Sequence, residues 1–394
     1  MARIVQRTLA HIFRSRLLRC ALVACVAVAL LIVGLKVTIH RAAFTGLGHL
    51  PDSKRGSDAW AISPDGGTVV GGVGLQGFSW SATTGMVGLG IDPKNGVFGS
   101  VAAGVSGAGQ VIVGSDFWTV GPRRVFRLKR GGEKETLWNL PKDQSVLPTP
   151  VESHYGFFRP VAAVSGDGAV IVGARSYNAL FVETIEAVRW TEKEAVVGLG
   201  FLPGARMAPC SAALAASADG LAVVGGSSSV NGMEAFRWTP EEGMRGLGGL
   251  GGDPKRNSYV SCAYGVSADG SVVVGSSYCS ESGSIEAFRW TADGGMQRLA
   301  PLLPRGSEFD STASAVSGDG RRVVGWVGVS HRAFIWEPEH GMRLLTDVLG
   351  AQGVDLTFWQ LHEARGISND GRVVVGSGRN LNTGQSEAWM ATLR

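Results

Sequence analysis

The chain has 394 residues, of which 37 are Lys or Arg and 33 are Asp or Glu, and seven of the basic residues fall within the first 41 positions, which hold no acidic residue. The rest of the chain therefore carries 30 basic and 33 acidic groups, which excludes the basic surface of a nucleic-acid-binding protein. The 58 glycines and 44% hydrophobic content exclude a disordered chain, and the lack of a Gly-X-Y period excludes collagen.

The first predicted element is a membrane segment. Residues Cys20 to Leu35 form an unbroken apolar run that follows five arginines, so we predict a signal-anchor transmembrane helix with the N-terminus in the cytoplasm. A long signal peptide is the alternative, and retention is favoured because no clean A-x-A cleavage motif follows the run. The predicted domains are residues 1–43, a basic tail and membrane segment, and residues 44–394, a body outside the cytoplasm.

A short pattern then returns seven times: small residues ending in Ser, a Gly/Asp turn and an apolar run ending in Gly. The turn serines are Ser63, Ser106, Ser165, Ser217, Ser267, Ser317 and Ser368. Six turns also hold an aspartate: Asp65, Asp167, Asp219, Asp269, Asp319 and Asp370. We expect these aspartates to stabilise the turns, because copies at one position of a repeat lie apart and cannot form one metal or substrate site.

Each repeat contains four short β patterns, the third being Ala-Phe-x-Trp, as at Ala235 and Ala287. Four strands in about 50 residues, repeated seven times, predict an all-β, seven-bladed β-propeller; an open β-solenoid is the alternative. The last repeat stops after its third strand, and residues Phe44 to Leu50 form an isolated strand before the first repeat. We therefore predict that this N-terminal strand completes the last blade and closes the ring.

Side-chain size predicts the place of each strand within a blade. The first strand is built of small residues, so we expect it to lie innermost, where seven strands crowd around the axis. The Val-rich second strand is expected to be buried. In the third strand the aromatic residues should pack between blades, while the alternate face, with Arg127, Arg189, Arg237 and Arg289, should be more solvated.

The combination of VS-x-DG-xx-VVG, AF-x-W and GM-xx-LG-x-L resembles the HAF family of probable extracellular repeats. The resemblance runs from Phe44 to the C-terminus and is most specific from Ala215 to Leu345. The second copy departs from it, with Ala108 where the turn Asp is expected. The resemblance implies a location outside the cytoplasm and no defined activity.

Two insertions, before the third and seventh repeats, place aromatic residues in the loops that join the fourth strand to the next first strand. In a propeller these loops share a face with those between the second and third strands. The aromatic side chains are either a binding face or seals between blades, and both readings stay open. The candidates are Tyr155, Phe157, Phe158, Tyr177, Tyr278, Phe358 and Trp359.

No catalytic, cofactor or metal residues are predicted. The G-x-G-x-x-G match at residues 246–251 lacks a following helix pattern, and the histidines show no zinc-ligand spacing. Cys210, Cys262 and Cys279 could form one disulfide or none.

The sequence thus favours a non-catalytic binding module for a protein or glycan partner, at the bacterial inner membrane with the propeller outside the cytoplasm, or secreted if the N-terminal segment is removed. The alternative is an extracytoplasmic glycan hydrolase or lyase.

Overall fold

Short β-strands make up more than half of the described chain in the computed structural model. The structure describes residues 41–51, 53, 55–91, 97–118, 124–139, 162–179, 182–205, 209–251, 259–299 and 310–394. The described residues from Ala42 to Arg394 belong to one compact unit. Within the described ranges, no helix is long and apolar enough to cross a membrane, and the predicted membrane segment at Cys20 to Leu35 lies outside them.

Each repeat contributes four strands, except that the seventh contributes three and takes its fourth from the N-terminus. The first three repeats contain β2 Ser57–Ile62, β3 Thr68–Val73, β4 Gln76–Ser81 and β5 Gly85–Gly88; β6 Val97–Val105, β7 Val111–Trp118, β8 Arg124–Lys129 and β9 Lys134–Asn139; and β10 Ala162–Val164, β11 Ile171–Ala179, β12 Val182–Thr191 and β13 Ala195–Gly200.

The fourth and fifth repeats contain β14 Ser211–Ala216, β15 Val223–Ser229, β16 Gly232–Thr239 and β17 Gly243–Gly246, then β18 Tyr259–Val266, β19 Val272–Cys279, β20 Ser284–Thr291 and β21 Gly295–Arg298. The last two contain β22 Ser311–Val316, β23 Val323–Val327, β24 Arg332–Glu337 and β25 Gly341–Leu344, then β26 Trp359–Ile367, β27 Val373–Asn380, β28 Gln385–Thr392 and β1 Ala43–Gly46.

These strands form an all-β propeller, but its sheets are not seven separate ones. In the described residues, five sheets have four strands each and a sixth has eight. The eight-stranded sheet joins the fourth and fifth repeats, because β16 and β18 pair in parallel at Gly232 with Tyr259 and Met233 with Val260. The prediction of seven separate blades therefore has to be corrected to five separate four-stranded sheets and one merged pair.

The predicted closure by the N-terminal strand is confirmed. Strand β1 pairs antiparallel with β28, from Ala43 opposite Thr392 to Gly46 opposite Trp389. The strand itself is shorter than the predicted Phe44 to Leu50, and Leu47 and Leu50 continue past it into the core. The first and last repeats are thus joined through strands far apart in sequence.

A row of backbone hydrogen bonds connects the turns around the propeller axis. The residue after each turn serine lies against its counterpart in the next repeat: Ala218 N–H donates to the Ala268 carbonyl at 2.9 Å and Ala268 N–H to the Gly318 carbonyl at 3.1 Å. The row continues through Asn369 to the carbonyl of Pro64, which joins the last turn to the first. Because proline has no N–H, Pro64 cannot donate onward.

A buried serine near the start of the first strand also joins neighbouring repeats, and sequence reasoning missed it. Its hydroxyl accepts a hydrogen bond from the backbone N–H of the third strand of the preceding repeat, as when Ser261 accepts from Ala235 at 2.9 Å. The same bond closes the ring, since Ser57 accepts from Ala388 at 3.0 Å. The serines are Ser57, Ser100, Ser211, Ser261 and Ser311.

Glycines in the second strand allow the first strand and the third-strand aromatic ring to approach closely. Gly275 lies opposite Phe288 in the register, and the pairing of β18 with β19 is interrupted by a bulge at Tyr264. A Cβ on Gly275 would collide with the Cys262 carbonyl oxygen and lie 2.8 Å from the Phe288 ring. The same close contact with a first-strand carbonyl recurs in five other repeats, so packing requires the glycine there.

The third-strand aromatic residues pack between repeats as predicted. The third-strand aromatic side chains that are wholly buried are Phe78, Phe126, Phe236, Phe288, Phe334 and Trp389. The alternate face is less solvated than predicted, because Arg127 is 7% exposed and its guanidinium lies 4.5 Å from the centre of the Trp190 ring. Arg237 donates from Nε to the carbonyl of Gly270 in the next repeat at 3.0 Å, so these arginines join repeats.

Among the described residues of the body, a short α-helix, α1 Leu345–Ala351, follows β25. Its Leu345, Val348 and Leu349 are buried in the core of the last two repeats, at the spacing of one helix face. No helix was predicted here, because seven residues are too few for a helical period to be recognised in the sequence.

We expect Gly275→Ala to lower the free energy of unfolding by about 3 kcal/mol, because a methyl group there must displace a backbone carbonyl and a buried ring. Gly350→Ala is the matched control, since nothing lies within 4 Å of a Cβ at that helical position and the change should leave stability within about 1 kcal/mol of the wild type. Denaturant unfolding measures both variants, and equal midpoints would contradict the packing role of Gly275.

Candidate functional site

A cavity lies on the propeller axis and is the candidate site. It has a volume of about 230 Å³ and is lined by the first strands of all seven repeats. Ala61, Ala163, Ala215 and Ala315 line it and are only half-buried although they lie on the innermost strands. The first strands therefore border an open channel, as expected for small residues around a propeller axis.

The large side chains of the cavity come from one repeated position, three residues before the turn serine. There the pairing with the second strand shifts at a β-bulge in six repeats. A bulge re-aims a side chain, and these side chains line the cavity. The residues at this position, in chain order, are Trp60, Ala103, Ala162, Leu214, Tyr264, Ser314 and Arg365, with Ala162 in the repeat that has no bulge.

These residues divide the channel wall into two arcs. The fifth, sixth, seventh and first repeats contribute Tyr264, Ser314, Arg365 and Trp60, which carry the polar and aromatic groups. The second to fourth repeats contribute two alanines and Leu214. One side of the channel can therefore form hydrogen bonds and ionic contacts, while the other offers only apolar contact.

Arg365 is the main charged group of the polar arc. Its guanidinium carbon lies 3.7 Å from the centre of the Trp60 ring, and its Nε donates to Glu363 Oε2 at 2.8 Å. Its side chain is only 6% exposed. The stacked ring and the ion pair thus fix the orientation of the guanidinium plane.

Glu363 extends this pair to a histidine in the loop between β23 and β24. Glu363 Oε1 lies 2.7 Å from His331 Nδ1, and the His331 ring stacks on Trp326 at 3.9 Å. Although burial opposes ionisation, the Arg365 charge and the His331 hydrogen bond hold the pKa of Glu363 far below its ordinary value of 4.5. Glu363 is therefore a carboxylate at neutral pH.

The two kinds of loop predicted to share a face do so. The N–H of Leu381, in the loop between β27 and β28, donates to the carbonyl of Phe358, just before β26, at 2.8 Å. The same relation joins Val230 to Pro203 at 3.3 Å. We call this side of the propeller, formed by the second-to-third and fourth-to-first strand loops, the loop face.

The aromatic residues predicted for this face have different surroundings. Phe358 is 53% exposed. Trp359 is half-buried and its ring packs edge-on against Phe44 of β1 at 4.9 Å, an arrangement that fits a seal at the closure. Tyr278 is half-buried on β19.

Only one of the four remaining predicted residues lies within the described part of the chain. Tyr177 lies on β11 opposite Thr184. Tyr155, Phe157 and Phe158 lie outside the described residues.

The turn aspartates act locally. Six of the seven turn serines donate to the carboxylate two residues on, as Ser267 does to Asp269 at 2.6 Å, and Ser267 also accepts from the N–H five residues on. The Ser267 hydrogen bond is the largest cause that lowers the pKa of Asp269. In the second repeat, where Ala108 replaces the aspartate, the turn is a 3₁₀ turn with Ala108 in the left-handed region at φ 52°.

Within the described ranges, the cysteines and the other residues of metal-ligand type form neither a disulfide nor a metal site. Cys210, Cys262 and Cys279 form no disulfide with one another there, and no group of three His, Cys, Asp or Glu side chains in those ranges could hold a metal ion. Burial raises the pKa of the Cys210 thiol.

No protein-family model matches the sequence, and no curated protein matches it significantly. Oligogalacturonate lyase from Vibrio parahaemolyticus is 9% identical over 90% of this chain and 98% of its own, with a TM-score of 0.50. The β-propeller domain of Cps50 (Swd1) from Myceliophteria thermophila is 11% identical over 89% of this chain and 100% of its own, also with a TM-score of 0.50.

TolB from Acinetobacter baumannii is 11% identical, with a TM-score of 0.44, over 86% of this chain. This chain spans 63% of that TolB, less than two thirds of its length. At such low identities a likeness concerns the fold alone, and the two structures with a TM-score of 0.50 support a β-propeller.

We expect Glu363→Gln to lower the free energy of unfolding at pH 7 by about 3 kcal/mol, because it removes the carboxylate partner of a buried arginine. In the wild type, the folded state holds the pKa of Glu363 below its ordinary value of 4.5, so the unfolded chain takes up the proton first. Stability should therefore fall as the pH drops below about 4.5.

Denaturant unfolding between pH 7 and pH 3 tests this, and the Glu363→Gln variant should lose less stability than the wild type over that range. Glu339→Gln is the control, since Glu339 pairs with Arg321 at an exposed site, where such a pair contributes at most about 1 kcal/mol. Parallel pH profiles for the wild type and Glu363→Gln would contradict the prediction.

Proposed function

We propose that this chain is an extracytoplasmic β-propeller that acts as a non-catalytic binding module, and that its partner is a protein that docks on the loop face. The observation that carries the proposal is the distribution of exposed apolar side chains. Six of the nine large hydrophobic residues that are exposed among the described residues lie in loops of this one face: Leu75, Ile91, Val230, Val329, Phe358 and Leu381.

The remaining three do not form a comparable set. Val87 and Val197 lie on fourth strands, at the outer edge of their sheets, and Leu221 lies in a turn on the opposite face. Single exposed apolar residues are ordinary on a protein surface, whereas several on one face indicate an interaction surface.

The centre of the proposed surface is the pair formed by Phe358 and Leu381. Their backbones are joined by a hydrogen bond of 2.8 Å, and the two side chains are 53% and 44% exposed. Val329, 65% exposed, lies in the corresponding loop of the neighbouring sixth repeat. A phenylalanine with aliphatic neighbours suits a protein contact, since an aromatic anchor in the centre of an interface contributes most of its energy. This chemistry favours a protein over a glycan.

The proposed location of the module in the cell depends on the N-terminal segment. We propose that Cys20 to Leu35 tethers the chain to the bacterial inner membrane with the propeller outside the cytoplasm, or is removed so that the propeller is secreted. The resemblance to the HAF repeats is in keeping with this location. We further propose that the two halves of the eight-stranded sheet count as separate blades, which gives a seven-bladed ring.

We expect the double variant Phe358→Ser and Leu381→Ser to lose a partner protein that copurifies with the wild type after cross-linking in the native host. Loss of a central aromatic contact should weaken the complex at least tenfold, because such a contact contributes about 2 kcal/mol. Leu221→Ser is the matched control, since Leu221 is 48% exposed on the opposite face.

The unfolding midpoints of both variants should stay close to that of the wild type, because the replaced side chains are largely exposed. A partner retained equally by the loop-face variant and the control would overturn the proposal. A large loss of stability in the loop-face variant would show instead that these side chains seal the fold.

A further inference from the structure

We propose that the axial cavity is a second, independent binding site, and that it takes a small organic carboxylate with an apolar body. The carboxylate pairs with Arg365, and the apolar body packs on the opposite arc of the channel. This site is separate from the loop face and does not depend on the partner proposed for it.

The cavity has an entrance. It extends from the bulged position of the first strands to the residues that follow the turn serines, among them Pro64, Gly166, Ala218 and Ala268, which line it. Apart from Asn369, the residues that line this ring are small, so the ring of turns leaves the axis open. The half-buried alanines along the wall are in contact with solvent inside the channel. A small molecule can therefore reach the bulged residues from the side of the turns.

The charge of the cavity selects an anion. Among the described residues that line it, Arg365 is the only charged side chain. Glu363 balances this charge through the Nε–H, which is one of the five N–H donors of the guanidinium, and hydrogen bonds from the others at low exposure would favour an anion. A guanidinium matches a carboxylate in shape and hydrogen-bond geometry, which argues for this anion.

The arginine is oriented before any ligand enters. Glu363 accepts from its Nε, and the Trp60 ring lies flat against the guanidinium at 3.7 Å. Pre-organisation of this kind reduces the loss of side-chain freedom on binding. The hydroxyl-bearing residues Tyr264 and Ser314 lie in the same arc, and Leu214 with its neighbouring alanines forms the opposite, apolar one.

The fold does not require these side chains. The bulged position holds alanine in the second repeat, where the same β-bulge forms around Ala103. A buried ion pair such as that of Arg365 and Glu363 contributes little net stability compared with apolar packing. A charged and aromatic set at one arc of an otherwise small-residue channel is therefore better explained by a ligand than by the fold.

Benzoate is a suitable probe, because it joins a carboxylate to an apolar ring, and benzamide is its neutral counterpart. Isothermal titration of the full chain should show benzoate binding at least tenfold tighter than benzamide. Arg365→Met should reduce benzoate affinity at least tenfold and leave benzamide affinity unchanged. Arg321→Met, at an exposed arginine away from the cavity, is the matched control and should bind benzoate like the wild type.

Two further variants keep the test decisive if Arg365→Met does not fold. The double variant Glu363→Gln and Arg365→Met removes both charges together, so that no buried carboxylate is left without its partner, and it should also lose benzoate binding. Ala215→Phe fills the channel without changing its charge and should abolish binding of both probes. No benzoate binding by the wild type, or unchanged affinity in the folded Arg365 and Ala215 variants, would overturn the proposal.

Discussion

The structure depends on the close approach of seven first strands around one axis. Successive turns bond to each other through backbone groups alone, with Ala218, Ala268 and Gly318 each donating to the next turn. The turns approach each other within backbone hydrogen-bond distance, and the residues that follow the turn serines are glycine, alanine, one proline and one asparagine. The same crowding explains why the first strands are small and why the second strand needs a glycine.

The β-bulge connects this constraint to function. A regular first strand would point its side chains alternately to the two faces of its sheet, toward the preceding and the following repeats, and not toward the axis. The bulge adds one residue to the first strand and directs its side chain into the channel. The second-strand glycine has no side chain, which leaves room for the first-strand carbonyl beside the bulge. In six of the repeats the bulged residue is thus less constrained by packing than its neighbours. Tyrosine, arginine and tryptophan occupy this position in the fifth, seventh and first repeats.

Much of the architecture was predictable from periodicity. The repeated serine turns, the buried third-strand phenylalanines and the closing strand each follow from a pattern of local residue types, and β1 pairs with β28 as expected. The burial of Arg127 was not predictable in this way, because it depends on Glu135, Glu192 and Trp190, of which two belong to the next repeat. The merging of two sheets at Gly232 and Tyr259 likewise depends on a contact between repeats.

The candidate cavity was also missed, although the sequence holds a signal for it. When the seven first strands are aligned on their turn serine, the third position before it varies from Ala103 to Trp60, while the flanking positions stay small or aliphatic. A variable size at one position of a crowded strand indicates that its side chain does not pack in the common core. Recognition of Glu363 and His331 needed the structure, since their contact spans 32 residues and two repeats.

Closure of the ring is the claim on which both proposed sites depend, and hydrogen exchange of the turn amides tests it most directly. The measurement compares the wild type with a chain that lacks residues 43–46, which form β1. In a closed ring, the amides of Ala218 and Ala268, on the far side from the closure, should lose protection together with that of Asn369 beside it. Loss of protection at Asn369 alone, with Ala218 and Ala268 protected as in the wild type, would show an open array of repeats and contradict the account.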